Sequence, residues 1–337
     1  MDAPLLLAVD GNSLVHRSFH AWSGGAVEQP AWAVRGLLTQ LVAAVDRVRP
    51  TAVVIGFDDA TRSWRRERWP QYKATRAEKL PALVEQLDLA VAAVRALGVA
   101  VVVPAGLEAD DVLASAAAHA RDLGGTSVIV TSDRDAFSLI DSHTSVLRII
   151  NGGVDASPLL TPERLVTLLG VRPGQYRDYA ALRGDPSDNL PGVTGIGPKT
   201  AARLLAIFGT AAAAFADPAA VERELGTGVA RRLAAGDART NWALNCEVMA
   251  QRCDLDLDLR TSPGALPLAP DAVADVFGAH NLTWTTAQAL RVLAGVETDE
   301  RPPRPVPAWD PGHGRTWPRT TTPKPTAAPV NPQLALF

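Results

Sequence analysis

Cysteine is nearly missing from this 337-residue chain, with only Cys246 and Cys253 present. Their spacing suits no zinc site and no export leader accompanies them. That excludes a disulfide framework and a Cys-held metal, and leaves reduced thiols of a cytoplasmic protein as the expectation. Long apolar runs are missing too. None reaches the roughly 18 residues of a membrane span, and Leu5–Val9 is too short and too acidic in its flanks for a signal peptide. No Ser–His or Cys–His set stands out, so covalent catalysis by a protein nucleophile finds no support. Lysine is scarce, four against 29 arginines. Arginine's planar donor fork suits phosphate recognition, but a GC-rich coding bias gives the same ratio. The net charge of −3 by itself argues mildly against nucleic acid. Its distribution argues the other way, because nine carboxylates assigned below to one site outweigh that surplus and leave the remainder basic.

The apolar residues that are present fall into short runs. Leu5–Val9, Ala52–Phe57, Val99–Val103, Ser127–Val130 and Val146–Ile150 read as buried strands. Helical patterns lie between most of them. One is opened by Pro30 and runs through Val48, a second runs from Pro81 to Gly98, and a third from Glu108 to Leu123 stops at Gly124-Gly125. Such alternation predicts a mostly parallel sheet covered on both faces, an α/β domain assigned to residues 1–160. From Thr161 the periodicity is helical, through Leu182, Ala201–Phe208, Val229–Ala234 and Trp242–Met249. A second, helical domain is therefore expected over 161–295. Ten prolines fall between Arg301 and Pro332, so 296–337 is expected to be an extended, disordered tail that buries too little to offset its ordering entropy.

Acidic residues follow the strand ends. The first strand runs into Asp10, the second into Asp58-Asp59, the third is followed by Glu108, Asp110 and Asp111, and the fourth by Asp133 and Asp135. Carboxyl ends of parallel strands share one edge, where ligands bind. A loop of the second domain adds Asp185 and Asp188. Each group alone has a plainer explanation. Acids at a helix start complement the dipole, Asp10 before Gly11 suits a turn, and Asp185 and Asp188 suit loop caps. Five such elements on one edge point to a shared metal site. Hard oxygen ligands without His or Cys suit Mg²⁺ or Mn²⁺ rather than zinc. Two such ions about 4 Å apart can activate water and stabilise the leaving oxygen of a phosphodiester.

Two further segments bear on nucleic acid. TRSWRRERWPQYKATRAEK, from Thr61 to Lys79, carries seven basic residues against two acids, interleaved with Trp64, Trp69 and Tyr72. Cations there can neutralise phosphates and rings can stack on unpaired bases; a solvated amphipathic helix is the other reading. Its departure from the second strand next to Asp58 favours the first. The run from Gly192 to Ala201, GVTGIGPKTA, is a tight turn leading into a helix start. Free amides there bind phosphate, and Gly195, Gly197 and Lys199 suit a helix–hairpin–helix grip on duplex DNA rather than a dinucleotide loop.

The segments LAVDGNSLVHRSFHAW, FDDATRSWRRERWPQYKATR, GLEADDVLA, TSDRDAFSLI and LRGDPSDNLPGVTGIGPKTAARLL carry a resemblance to the bacterial 5′-3′ exonucleases, including the 5′-nuclease domain of DNA polymerase I. They stand in family order and span roughly residues 5 to 295. Trp64 stands where Phe is usual, Ser132 where Gly is common and Pro198 where an acid is frequent. The resemblance implies a PIN-like, resolvase-like α/β domain and a helical domain with a helix–hairpin–helix (H3TH) element. It implies that Asp10, Asp58, Glu108 and Asp110 serve mainly one metal, with Asp58 favoured over Asp59. Asp111, Asp133, Asp135, Asp185 and Asp188 would serve mainly the other. It places Arg65, Tyr72, Lys73 and Arg76 in a helical arch, with Lys73 toward the scissile phosphate and Arg17 on another phosphate. It also implies a K⁺ ion at the hairpin.

The chain closes on Gln333-Leu334-Ala335-Leu336-Phe337. An apolar end on a Pro-rich tether resembles the peptide by which bacterial replication proteins dock on the sliding clamp, through Gln333, Leu334, Leu336 and Phe337; a chance apolar terminus is the alternative. The expectation is thus a stand-alone, monomeric, two-metal 5′-3′ exonuclease or flap endonuclease of the cytoplasm and nucleoid. Its substrates would be DNA with 5′ flaps, nicks, gaps or free 5′ ends, and RNA–DNA hybrids. A catalytically inactive DNA-structure binder and an RNA-cutting nuclease on a related core are the competing readings.

Overall fold

All five apolar runs form strands, and the reason is burial on both faces. β1 (Leu5–Asp10), β2 (Ala52–Gly56), β3 (Ala100–Val102), β4 (Thr126–Thr131) and β5 (Thr144–Arg148) pair in parallel. β6 (Leu159–Leu160) closes the order β3-β2-β1-β4-β5-β6 by pairing antiparallel with β5. Two residues are too few to register as a period, so the sequence pattern misses β6. Alternate side chains serve two cores, as the pleat requires. Leu7, Val9, Val53 and Ile55 face one core, and Leu6, Ala8, Val54 and Ile129 face the other. The computed structural model describes residues 3–21, 31–257 and 264–297. The Pro-rich tail, with Gln333, Leu334, Leu336 and Phe337, lies outside the described residues.

The first core is covered by α1 (Gly11–Ala21), α2 (Trp32–Val48) and α4 (Pro81–Ala96), and the second by α5 (Ala109–Asp122). Between β2 and α4 only the short α3 (Trp64–Arg68) is helical. α1 is not anticipated by pattern, because Gly11-Asn12-Ser13 reads as a turn. Asp10 instead caps the helix from the strand end, its Oδ1 accepting the Ser13 N–H at 2.8 Å. Pro81 opens α4 at the position where its missing N–H costs nothing.

Further helices, among them Pro162–Leu169, Tyr176–Arg183, Pro198–Phe208 and Ala238–Val248, pack on the α5 side through Leu165, Tyr176, Leu182 and Leu204. Not all of the expected helical segment belongs there. Gly264 accepts from the Val53 N–H at 2.8 Å and Leu266 donates to Thr51 at 2.9 Å, laying residues 264–266 along β2. Helices Pro270–Ala279 and Thr283–Leu293 then bury Val273, Phe277 and Leu293 in the first core. An amphipathic helix announces that it has a partner, not which one. In sheet order, β1 lies between β2 and β4, so successive connections leave it in opposite directions. That reversal opens a crevice at the carboxyl ends of the strands.

Candidate active site

A cleft of about 910 Å³ occupies this crevice. Asp10, Asp58, Glu108, Asp110, Asp133, Asp135 and Asp185 line it, together with Arg17, Lys73 and Arg76. Asp188 lines a small adjoining cavity with Glu108, Asp110 and Asp135. Strand ends deliver most of these groups, and short polar residues aim them. Asp10 Oδ2 accepts from Thr131 Oγ1 at 2.7 Å, and the same hydroxyl accepts the Asp133 N–H at 3.0 Å. Asn12 reads Asp58 twice. Its amide donates to Asp58 Oδ2 at 2.8 Å and its carbonyl accepts the Asp58 N–H at 3.0 Å. The Ala109 N–H at the head of α5 binds the other Asp58 oxygen at 3.0 Å. Ser13 and Ser132 hydroxyls meet at 2.5 Å and tie α1 to the turn after β4. Asn12, Ser13 and Thr131 were not singled out from sequence, and Ser132 only as standing where Gly is common. Their signal was there, as small polar residues at or just beyond strand ends.

Asp59 turns away from the cleft. Its Oδ1 accepts the Thr61 N–H and hydroxyl, and Oδ2 accepts the Gly106 N–H at 2.7 Å. Those hydrogen bonds, Thr61's hydroxyl foremost, hold its carboxyl below the ordinary range. Asp58 is the member of the pair that enters the cleft.

Asp185 and Asp188 arrive on a hairpin, β7 (Gly184–Asp185) and β8 (Leu190–Pro191). Its two ends approach so closely that a Cβ on Gly184 would lie 2.2 Å from the Gly192 nitrogen. Glycine is required at this crossing, and Gly184 has φ +71° besides. Asp185 also caps its own loop, accepting from the Ser187 N–H at 2.8 Å.

Asp111 departs from the expectation. It is fully buried and lines neither cavity. Arg65 takes both of its oxygens at 2.8 Å each, while the Glu108 and Arg252 N–H groups fill the remaining lone pairs at 3.1 and 2.8 Å. Arg65 is only 2% exposed and also donates to the Val248 and Ala250 carbonyls. Burial works against its charge, but the Asp111 hydrogen bonds and the charges of Asp111 and Glu108 outweigh it and hold the guanidinium above its ordinary pKa. Expected on the DNA-facing arch, Arg65 instead pins that segment to α5.

The aromatics of the basic segment are likewise turned inward. Trp69 and Tyr72 are buried with Leu190 and Val248, and the Tyr72 hydroxyl donates to Glu108 Oε2 at 3.1 Å. They pack because the segment folds over residues 244–250, so they offer no ring for an unpaired base. Lys73 remains at the cleft. Its Nζ donates to Glu108 Oε1 at 3.0 Å, its N–H binds the Asp188 carbonyl at 3.0 Å, and its backbone sits at φ +55°. A left-handed conformation in a non-glycine residue persists only where its surroundings impose it. Arg76 pairs with Asp188, and Thr75 donates twice to Asn189 Oδ1. The basic segment is thus latched on both acid-bearing loops.

The carboxylates repel one another. Burial and then the neighbouring acids push Asp10 up to about 7 and Asp135 up to about 8. Asp110 is raised well above the carboxylate range by burial and by the charges of Asp133 and Asp10. Burial raises Asp58 and Asp188 as well. His16, another cleft residue, is lowered to about 4 by burial and then by Lys79. Acids crowded in this way call for positive charge among them, and an all-oxygen donor set fits a hard divalent cation. Among the described residues, no three acidic, His or Cys side chains already converge at ligand distance.

Farther along, Val193 donates to the Leu182 carbonyl at 2.8 Å, which docks the glycine turn on helix Tyr176–Arg183. Gly195 has φ +78°, its carbonyl accepts from Arg232, and Lys199 is exposed in the first turn of the next helix. Gly197 precedes that turn with open space where a Cβ would stand.

The chain is similar to known proteins in sequence and in fold. Residues 5–168 match the 5′-3′ exonuclease N-terminal resolvase-like domain, and residues 171–268 match the 5′-3′ exonuclease C-terminal SAM fold. DNA polymerase I of Mycobacterium bovis is 37% identical over 238 residues, covering 68% of this chain and 26% of that protein. The chain thus spans about a quarter of the length of the curated relatives it matches. The T5 D15 protein, co-crystallised with metal ions, superposes with TM-score 0.59 at 19% identity, covering 86% of this chain and 99% of the other. The catalytic core of Rad2, solved with a DNA substrate, gives TM-score 0.54 at 15% identity over 86% of this chain and 91% of its own. At these identities the structural likeness speaks for the fold, a mostly parallel α/β sheet joined to helices.

Proposed function

The chain belongs to the 5′-3′ exonuclease family, and on that premise we propose that it hydrolyses DNA phosphodiesters near 5′ ends, at flaps, nicks and gaps, with two divalent cations. The observation that carries this is the convergence of Asp10, Asp58, Glu108, Asp110, Asp133, Asp135 and Asp185 on one cleft, with Asp188 beside it. Asp10, Asp58, Glu108 and Asp110 would hold mainly one cation, and Asp133, Asp135, Asp185 and Asp188 the other. When bound, Mg²⁺ or Mn²⁺ lowers the pKa of water and offsets charge on the leaving oxygen.

The protein's own residues do the rest. Asn12 and Thr131 fix the orientation of Asp58 and Asp10. Lys73, released from Glu108, and Arg17 meet the strand's phosphates. Gly195, Gly197 and Lys199 present backbone amides and charge to the duplex, with carbonyls of the same turn available to K⁺. The residues divide between an α/β body, 1–160, and a helical DNA-binding part within 161–295. The terminal peptide Gln333–Phe337 docks on a sliding clamp, so its deletion should abolish clamp affinity and spare cutting.

Among the described residues no helix is long and apolar enough to cross a membrane. The proposed setting is replication and repair, with the protein acting as a monomer. The test compares end-labelled flap, nick, single-strand and RNA–DNA hybrid substrates in Mg²⁺, Mn²⁺ and EDTA, with wild type and Asp133→Ala. Cleavage by wild type only, and only with the cations, supports the reading; equal products from both proteins refute it.

A further inference from the structure

Two of the cations lining the cleft have an acid of their own, Lys73 with Glu108 and Arg76 with Asp188, while Lys79 and Arg183 have none among the described residues. Three more arginines, gathered near the ends of β4 and β5, are without one as well. Arg17 projects from α1 and donates to Asn151 Oδ1 at 2.9 Å. Arg134 stands between Asp133 and Asp135 on the turn after β4, and both arginines line the cleft. Arg148 ends β5 with its guanidinium 5.9 Å above the Phe137 ring, and its Nε is buried without a hydrogen-bond partner. None of the three is in an ion pair among the described residues.

They are also crowded. Burial, and then the charges of Arg134 and Arg17, lower the Arg148 pKa, with Asp133 the carboxylate that opposes them. Asp133 cannot serve three guanidinium groups, and in the proposed function its charge is committed to a cation. The Arg148 Nε is buried without a partner, and a buried donor left unsatisfied is costly unless an acceptor completes it. Planar guanidinium forks match phosphate oxygens.

We propose that Arg17, Arg134 and Arg148 form a phosphate subsite at the β4–β5 end of the cleft, holding a strand phosphate next to the one that is cut. This rests on the nuclease reading for the identity of the strand. The phosphate is either the 5′-terminal monoester or an internal diester, and both present the same oxygens.

The experiment uses the full chain with Arg134→Gln, Arg148→Gln and Arg148→Lys. Binding of 5′-phosphoryl and 5′-hydroxyl single-stranded oligonucleotides is measured in EDTA against salt, and flap cleavage in Mg²⁺. Both Gln variants should bind roughly tenfold or more weakly, with the salt slope reduced by about 0.7 for one lost phosphate contact. KM should rise while kcat holds. Arg148→Lys should keep most of the slope, and Arg134→Gln carries the test if Arg148→Gln fails to fold. Loss confined to 5′-phosphoryl strands assigns the terminal phosphate; equal loss on both assigns an internal one. Unchanged affinity and salt slope in both Gln variants overturns the subsite. If wild type cuts nothing, the nuclease reading falls, yet the binding series still decides whether the arginines hold phosphate.

Discussion

Replacing Asp111 should unfold the protein more readily without removing a cation ligand. Its carboxylate is fully buried and bonded to Arg65 twice, to the Glu108 N–H and to the Arg252 N–H. Asp111→Ala takes both short hydrogen bonds from the Arg65 guanidinium, 2% exposed, and leaves it only the longer contact with Glu108 at 3.4 Å. Removing one partner of a buried ion pair costs about 3–5 kcal/mol. At about 2–4 °C per kcal/mol for a chain of this class, the melting temperature should fall on the order of 10 °C. Asp110→Asn removes a repelled charge instead, so the metal-free protein should be as stable as wild type or more so. The assay is urea unfolding in EDTA, alongside a Mn²⁺ titration of each variant. Asp111→Ala should lose stability and keep the stabilisation that Mn²⁺ gives. If it keeps its stability and loses the response to Mn²⁺, Asp111 is a ligand and its assignment to Arg65 is wrong.

Other outcomes follow from the same geometry. Asp110→Asn should slow flap cleavage by roughly 10³-fold, since the cations supply several kcal/mol to the transition state; residual activity within tenfold of wild type contradicts this. For pH, Asp10 and Asp135 titrate near 7 and 8 when folded, against about 3.9 when unfolded. Between about pH 4 and 8 the folded state therefore binds more protons, and stability of the EDTA-treated protein should fall as pH rises through that window. Scanning calorimetry showing the opposite slope removes the repulsion argument. Gly195→Ala places a side chain at φ +78° and a Cβ 2.8 Å from Arg232 Nε. The strain of about 1–2 kcal/mol should raise KM for duplex-containing flaps several-fold and leave kcat unchanged.

The sheet was legible because its strands are buried on both faces and so appear as bare apolar runs. The acids were legible because parallel strands deliver their ends to one edge. What the sequence hid was pairing. Arg65 and Asp111 carry the same letters as a phosphate contact and a metal ligand, and only the path of residues 248–252 over α5 turns them into each other's counterion. Trp69 and Tyr72 looked like stacking platforms because no local pattern announces that a distant segment will cover them. Asn12 and Thr131 went unnoticed for a related reason. They carry no charge of their own and act by holding Asp58 and Asp10 in place. Helices Pro270–Ala279 and Thr283–Leu293 fall inside the span 161–295 assigned to the helical part, and apolar spacing does not say which core will receive them.

The central claim is that acids from separate strand ends gather a pair of cations. Calorimetric titration of the purified full chain with Mn²⁺, beside Asp110→Asn, tests it most directly. The account predicts two ions per wild-type chain and a weakened or missing site in the variant. No binding at millimolar Mn²⁺, or identical isotherms for both proteins, contradicts it.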